Sequence, residues 1–246
     1  MPLANPRFSI IIPTLQEEKY IVRTLDQFSS DLRKQFDFEV IVSDGGSTDK
    51  TCSLAKPRAD LFTVHTKPFK QTISMGRNAG AELSKGFILI FINADTLIEN
   101  TGKFFLRVEE ALKDPHIVAA TCRVNIYPEE ERISDRIFHN FFNNYFWFLN
   151  LIGLGMGRGE CQIIKRNEFF AVSGYNEGLA AGEDFDLFVR VRRHGKIAYL
   201  HSLIVRESPR RFRKFGYAKI LMQWFINAVS VLFRGKSISD DWEPIR

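Results

Sequence analysis

The stretch FILIFINAD, residues 87–95, decides the fold. Phe87 to Ile92 is apolar without a break, and a half-exposed strand would alternate. It therefore reads as a strand covered on both faces, the condition of a central strand in a parallel sheet. Asn93, Ala94 and Asp95 follow at its carboxyl end, the edge where open α/β sheets hold ligands. Upstream, Phe8 to Ile12 reads as a buried strand ended by Pro13, with further strands over Phe38 to Ser43 and Leu61 to His65. Ile21, Leu25, Phe28 and Leu32 recur at spacings of four, three and four and give one intervening helix an apolar face. A helix between Gln71 and Ser84 is ended by Gly86, another spans Gly102 to Lys113, and Ile117 to Cys122 returns to strand. This alternation predicts an α/β fold: a mostly parallel central sheet flanked by helices, with the ligand site at its carboxyl edge.

At 246 residues, 45% hydrophobic and 26% charged, the chain is neither disordered, fibrous nor a many-span membrane protein. Its net charge of +5 favours anionic partners without choosing among nucleotides, lipid headgroups and nucleic acid. Zinc spacings, an RNP pattern and a dense basic stripe are all missing, so no nucleic acid is expected. Cys52, Cys122 and Cys161 form no CxxC pair and suit a reducing compartment. The opening MPLANPRFS has no signal-peptide hydrophobic region, which predicts the cytoplasmic side.

After Arg123 the alternation weakens. Glu129 to Glu131 read as a solvated loop. Phe138, Phe141, Phe142, Tyr145, Phe146, Trp147 and Phe148 crowd one helix-length segment and are expected mostly in core, with contact to acceptor or lipid as the other reading. Beyond the Gly-rich stretch Gly153 to Gly159, Cys161 to Ile164 reads as a short strand and Asn167 to Val172 as a helical turn or two. Glu183 to His194 reads as a helix and Ile197 to Leu200 as an edge strand. No Pro- or Ser-rich linker intervenes, so one continuous domain is expected over 1–246.

Three acids follow apolar strands: Glu17, Asp44 and Asp95. One crevice can hold all three if donors or a cation offset their repulsion; separate loop and cap roles are the plainer reading. Gly45 and Gly46 permit a tight turn or close ligand approach, and Ser47 is expected to cap a helix running to Ala55 whose free N–H groups attract an anion. Asp44 suits a base or ribose better than phosphate. Neither dinucleotide fingerprint nor phosphate loop is present. Asp95 is the metal candidate, because hard divalent ions prefer oxygen and can bridge diphosphate oxygens.

The strings SIIIPTLQEE, VSDGGSTDKT, GRNAG, FINADT and GYNEGLAAGEDFDLFVRVRRHGK occur in this order over residues 8–196. Together they resemble family 2 glycosyltransferases of the GT-A fold. The resemblance implies a nucleotide-sugar donor, a divalent cation (Mg2+ or Mn2+) and inverting transfer of the sugar to an acceptor hydroxyl. It implies donor contacts at Pro13, Glu17, Asp44, Gly45, Arg77, Asn78, Asn93 and Asp95, with Asp95 as the metal ligand. Asn93 departs from the acid often found there, so metal binding is expected to rest on Asp95 and the diphosphate. The later metal histidine of some relatives is not assigned; His201, on an expected strand, reads more plainly as a core or surface residue. Glu183 and Asp184 match the family's ED motif, with Asp184 as base and Glu183 orienting the acceptor; an acidic helix start is the plainer reading. Arg158, Gly159 and Glu160 are acceptor-side candidates beside the glycine turn. The implied division is a donor-binding half over 1–122, an acceptor and catalytic half over 123–205 and a basic amphipathic tail over 206–246.

Between Arg206 and Lys219 lie six basic residues and one acidic residue. Arg210 and Arg211 are expected to meet the donor diphosphate or acidic lipid headgroups. Beyond them Lys219, Gln223, Asn227, Ser230 and Arg234 form a narrow polar stripe on an otherwise apolar helix. It is too short and interrupted for a membrane span, and either packs on the protein or a partner, or lies at the membrane interface. The resemblance extends to bacterial members with such a tail, which implies a peripheral place at the cytoplasmic face of the inner membrane and leaves open a lipid-linked acceptor. A nucleotidyltransferase and a nonenzymatic membrane- or polyanion-binding module are the rival readings.

Overall fold

A computed structural model describes residues 5–179 and 181–234. The first half runs β1 (Phe8–Thr14), α1 (Ile21–Asp26), α2 (Ser30–Phe36), β2 (Phe38–Asp44), α3 (Thr51–Ala55), β3 (Leu61–Val64), α4 (Ile73–Leu83), β4 (Ile88–Ile92), β5 (Thr96–Ile98) and α5 (Thr101–Leu112). The second runs β6 (Ile117–Ile126), α6 (Ile133–Leu151), β7 (Cys161–Lys165), α7 (Arg166–Ala171), α8 (Glu183–Arg192), β8 (Lys196–Glu207), α9 (Arg210–Phe215) and α10 (Tyr217–Arg234).

The strands form one eight-stranded sheet in the order β3-β2-β1-β4-β7-β6-β8-β5. Parallel pairing joins β3, β2, β1 and β4, and also β6 and β8. Only β7 and β5 run against their neighbours. The expected α/β class with a mostly parallel sheet flanked by helices is what the structure shows.

Alternate strand positions feed two apolar layers. Ile10 and Ile12 face a layer with Phe36, Phe38, Phe105 and Val108, whereas Ile11 faces the opposite layer with Phe91, Phe169, Phe188 and Val191. In the first layer Phe105 stacks on Phe36 and Phe38 at centroid distances of 5.1 and 5.0 Å. Truncating such a ring to alanine costs about 3–5 kcal/mol. In the second, Gly80 lets α4 lie directly on β1, because a Cβ there would stand 2.5 Å from Ile11 Cγ2. That approach brings Arg77, one turn earlier on α4, to the sheet's carboxyl edge.

Several boundaries differ from the sequence reading. Phe87 is 63% exposed and precedes β4, because the chain is still arriving from the surface end of α4. The helix expected from Ser47 starts only at Thr51, since Ser47 is engaged by Asp44 and by Gln16. Strand β8 continues well beyond Leu200 to Glu207 and lies between β6 and β5, so it is not an edge, and Arg206 and Glu207 belong to it rather than to the tail. In α6 only part of the aromatic cluster is core: Phe138 and Phe146 are buried, while Phe141, Tyr145, Trp147 and Phe148 are exposed.

The tail docks on α6. Ile126, Phe138, Phe212 and Ile220 are buried together, with Phe142, Leu221 and Trp224 packed against them. Asp135 at the start of α6 accepts from Arg213 and from the Tyr217 hydroxyl. Within α10 part of the polar stripe turns inward: Asn227 and Ser230 are buried, Gln223 is half-buried and Lys219 stays exposed, while Met222 and Phe225 face outward. The side chains of Val231 to Arg234 and all of 235–246 lie outside the described residues. Among the described residues no helix is long and apolar enough to cross a membrane.

Candidate active site

The carboxyl ends of β1 and β4 open into a cavity of about 700 Å³ that also reaches α6, α8, α9 and α10. Its polar end is built from three strand termini. Pro13 lies in the last pleat of β1 and Glu17 follows it, Gly45 follows β2, and Asn93 and Asp95 follow β4. Gly45 N–H donates to Thr14 O at 2.8 Å, and a Cβ at Gly45 would press on Gln71 and Leu15 from 3.3–3.4 Å.

Arg210, the first residue of α9, closes this end. Its guanidinium donates to Glu17 Oε1 and Oε2 at 2.5 and 2.8 Å and lies 3.2 Å from Asp95 Oδ2, over the Tyr20 ring. Burial raises the Glu17 carboxyl to about 7 despite this partner. Burial likewise raises Asp95 above the usual carboxylate range, with Arg210 pulling the other way. Two desolvated acids facing one guanidinium mark a place that attracts positive charge. Among the described residues no group of three or more His, Cys, Asp or Glu side chains could hold a metal ion. Asp95 alone fits a cation there, as one hard oxygen of a site completed by a ligand's oxygens and water.

The other acid is set by α8. Gly182, at φ +79°, turns the chain into the helix and places Glu183 and Asp184 in its first turn. Asp184 Oδ2 accepts from Gly159 N–H at 3.0 Å and Oδ1 from Phe185 N–H at 2.8 Å. Burial, then the neighbouring Glu183 charge, raises the Asp184 carboxyl to about 7, with Arg77 opposing. Glu183 points to Arg77 at 3.0 Å.

Arg77 ties the two ends together. Only 1% exposed, it donates to Glu183, to Asn93 Oδ1 at 3.1 Å and to Gly159 O at 2.8 Å. Asp184 is thus linked through Gly159 and Arg77 to the segment that carries Asp95. Pro13, Glu17, Gly45, Arg77, Asn93, Asp95, Arg158, Gly159, Glu160, Glu183, Asp184, Arg210 and Arg211 all line the one cavity.

Two of the expected donor residues are engaged within the protein. Asp44 is 0% exposed and accepts from Gly46 N, Ser47 N, Ser47 Oγ and Thr14 Oγ1, at 2.7–2.9 Å, so it fastens the turn. Asn78 is bonded to both N–H and C=O of Tyr175 and to Glu177 and stands outside the cavity lining. Its amide holds the loop before α8. His201 is exposed on β8 between the Tyr199 and Trp147 rings, also outside the lining. Arg192 lies against Gly153 and Gly155.

Glu207 escaped the sequence reading. It ends β8, lines the cavity and accepts from Arg158 Nη2 at 2.8 Å; Arg158 also donates to Glu160 at 3.1 Å. Burial and the Glu160 charge raise Glu207 well above the usual range, whereas Glu160, against its own burial, is held low by Arg158. The buried His139 ring beside Arg158 is pushed down to about 3 by burial and by that charge, so it is neutral. An acid just past the short apolar run Leu203 to Val205 was the available signal, of the same kind that marked Asp95.

Comparison with known proteins agrees with this architecture. A curated relative from Methanococcus voltae is 25% identical over 244 residues, covering 87% of this chain and 73% of its own length; it is named a dolichyl N-acetyl-α-D-glucosaminyl phosphate 3-β-D-2,3-diacetamido-2,3-dideoxy-β-D-glucuronosyltransferase. A mannosyltransferase from Pyrobaculum calidifontis, solved with GDP-Man and Mn2+, superposes with a TM-score of 0.70 at 21% identity over 93% of this chain, which spans 65% of that protein. Glucosyl-3-phosphoglycerate synthase from Mycobacterium tuberculosis, solved with Mn2+, UDP and glucosyl-3-phosphoglycerate, gives 0.60 at 18% identity, covering 92% of this chain and 80% of that one. The two structural likenesses show the GT-A fold. The model of glycosyl transferase family 2 matches residues 9–169, about two thirds of the sequence and the whole span from β1 into α7, so the chain is a glycosyltransferase and belongs to that family.

Proposed function

We propose that the chain moves a sugar from a nucleotide-sugar to an acceptor hydroxyl with inversion at the anomeric carbon, and that Asp184 is the general base. The observation that carries this reading is the single cavity in which Asp95, at the end of β4, and Asp184, at the start of α8, are joined through Arg77 and Gly159. In direct displacement the acceptor oxygen forms a bond to the anomeric carbon as the bond to the diphosphate breaks. The acceptor proton goes to Asp184 and the electron pair leaves with the nucleoside diphosphate. A carboxylate raised to about 7 by burial is suited to take that proton near neutral pH.

Pro13, Glu17, Gly45, Asn93 and Asp95 are assigned to the donor end, with Arg210 at the diphosphate, where a guanidinium group matches paired oxygens, and Arg211 beside it on α9. Arg158, Gly159, Glu160 and Glu183 are assigned to the acceptor side. Arg77 is a positioning residue, holding Glu183 and the Gly159 peptide. Asp95, with the donor's own oxygens, would hold Mg2+ or Mn2+, and such a cation offsets the charge that develops on the departing diphosphate. Two of the structural neighbours were solved with Mn2+, which supports the assignment. The Methanococcus relative is named for a dolichyl-linked acceptor, which supports a lipid-linked acceptor.

The test is a panel of UDP- and GDP-sugars screened for binding by native mass spectrometry, followed by product analysis. Release of nucleoside diphosphate together with an inverted sugar product is expected. A folded protein that binds none of the donors, or that releases pyrophosphate, refutes the proposal.

A further inference from the structure

Past Asp184 the cavity changes character. Phe185 and Val189, one turn apart on α8, form one wall; Tyr145 and Leu149, one turn apart on α6, form another; Trp224 of α10 forms a third. This arm is continuous with the polar end that holds Asp95. Its mouth is marked by residues that line the cavity and are also open to solvent: Tyr145 at 43%, Leu154 at 54% and Phe225 at 70% exposed. Around that mouth the surface stays apolar, with Phe141, Phe148, Leu151, Met222 and Ile226 all exposed. So many exposed large apolar side chains on the two helices that line one cavity are unusual for a protein surrounded only by water.

Charge accompanies the apolar surface. Helix α9 is Arg210-Arg211-Phe212-Arg213-Lys214-Phe215, and Arg210 and Arg211 line the cavity between its polar end and the arm. A ligand with a phosphate beside α9 and a hydrocarbon tail in the arm would satisfy both. A water-soluble acceptor would leave the arm filled with poorly bonded water.

We infer that the apolar arm between α6, α8 and α10 is a binding site for the hydrocarbon chain of a phosphate-bearing lipid, entered from a bilayer on which the rim of Phe141, Phe148 and Phe225 rests. The inference deepens the transferase reading, because it places the acceptor's carrier at Asp184. The chain enters between α6 and α10, the phosphate lies at Arg211, leaving Arg210 to the donor, and the hydroxyl that is glycosylated reaches Asp184 from the side away from Asp95.

The probes are farnesyl phosphate, below its micellar concentration, and methyl phosphate, which share a headgroup and differ in the chain. Calorimetric titration of the full chain is expected to give farnesyl phosphate at least about 100-fold tighter binding, roughly 2.7 kcal/mol. Leu149→Trp fills the arm and is expected to abolish the preference while UDP- or GDP-sugar binding is retained. Leu154→Arg, on the exposed mouth where folding is not at stake, is expected to weaken the preference at least tenfold. Sedimentation with phosphatidylcholine:phosphatidylglycerol 3:1 vesicles is expected for the wild type and reduced for Phe141→Ser/Phe225→Ser. Equal binding of the two phosphates, or a preference untouched by both arm variants, overturns the site. A stable dimer that does not sediment with vesicles overturns it as well, since a second copy then covers the rim. Loss of the chain preference with intact nucleotide-sugar binding refutes only this inference, whereas failure of the wild type to bind any nucleotide-sugar refutes the transferase reading beneath it.

Discussion

Replacing Asp184 by asparagine separates the catalytic role of this side chain from its structural one. Both carboxylate oxygens accept a backbone N–H, from Gly159 and from Phe185. Asparagine keeps one acceptor and turns an NH2 group toward the other N–H, so one buried donor is left facing a donor. That costs about 1–3 kcal/mol of stability. Loss of the base costs the reaction about 10²- to 10⁴-fold, or roughly 3–5 kcal/mol of transition-state stabilisation. The pH dependence gives a second measure. Burial raises the Asp184 carboxyl from 3.8 to about 7, so the ionised base falls about tenfold per unit below neutrality. The folded protein holds this proton more tightly than the unfolded chain. The resulting stabilisation is therefore full below about pH 4 and is lost as pH rises through about 7. Initial rates of nucleoside diphosphate release, with water in the acceptor's place, are measured between pH 5 and 9 alongside thermal unfolding. The wild-type rate is expected to rise tenfold per unit up to about 7 and then level. Asp184→Asn is expected to lose both that acidic limb and its share of the stability decline over the same range. A variant within a few-fold of wild type, or one that keeps the limb, refutes Asp184 as the base.

Arg77→Lys keeps the charge but cannot reach Glu183, Asn93 and Gly159 together; a loss of about 2–3 kcal/mol is expected from urea unfolding, with a fall in rate that Asn93→Ala does not reproduce in full. An unchanged urea midpoint counts against Arg77 as the link. Gly155→Ala puts a side chain at φ +78°, 2.8 Å from Phe188 O, and is expected to cost about 1–3 kcal/mol and to displace the loop that ends at Gly159. Its melting temperature decides this, and a value equal to wild type refutes the packing argument. For Asp95→Ala, added Mn2+ is expected no longer to tighten nucleotide binding in calorimetry; undiminished tightening means the cation is held elsewhere.

The sheet was legible wherever burial on both faces removed alternation, as in Ile88 to Ile92, and the edge carrying Glu17, Gly45 and Asp95 followed from the ends of those runs. Where reading failed, long-range contacts had overridden local signals. The turn after Asp44 looks open to a ligand in sequence, yet Thr14 and Ser47 close over the carboxylate. The stripe on α10 left open whether the helix packs on the protein or lies at a membrane, yet docking of α10 on α6 buries Asn227 and Ser230 and leaves Phe225 outside. Glu207 was hidden because His201 and Ser202 interrupt the apolar pattern of β8, which made its end appear earlier than it is. Arg77 was visible as a motif residue, but its three partners come from segments 16 to 106 residues away, which no local pattern records.

One continuous sheet underlies both Asp95 and Asp184, with β7 wedged antiparallel between β4 and β6. Scissoring of the two halves about a hinge would have to shear that ladder of backbone bonds, so the cleft is not a jaw. Substrate traffic is left to whatever is fastened over the sheet's rim, above all the α9 segment clasped at Glu17 by Arg210. Unclasping that strap costs the Arg210 pairs with Glu17 and Asp95 and the packing of Phe212, where prising the halves apart would cost the fold.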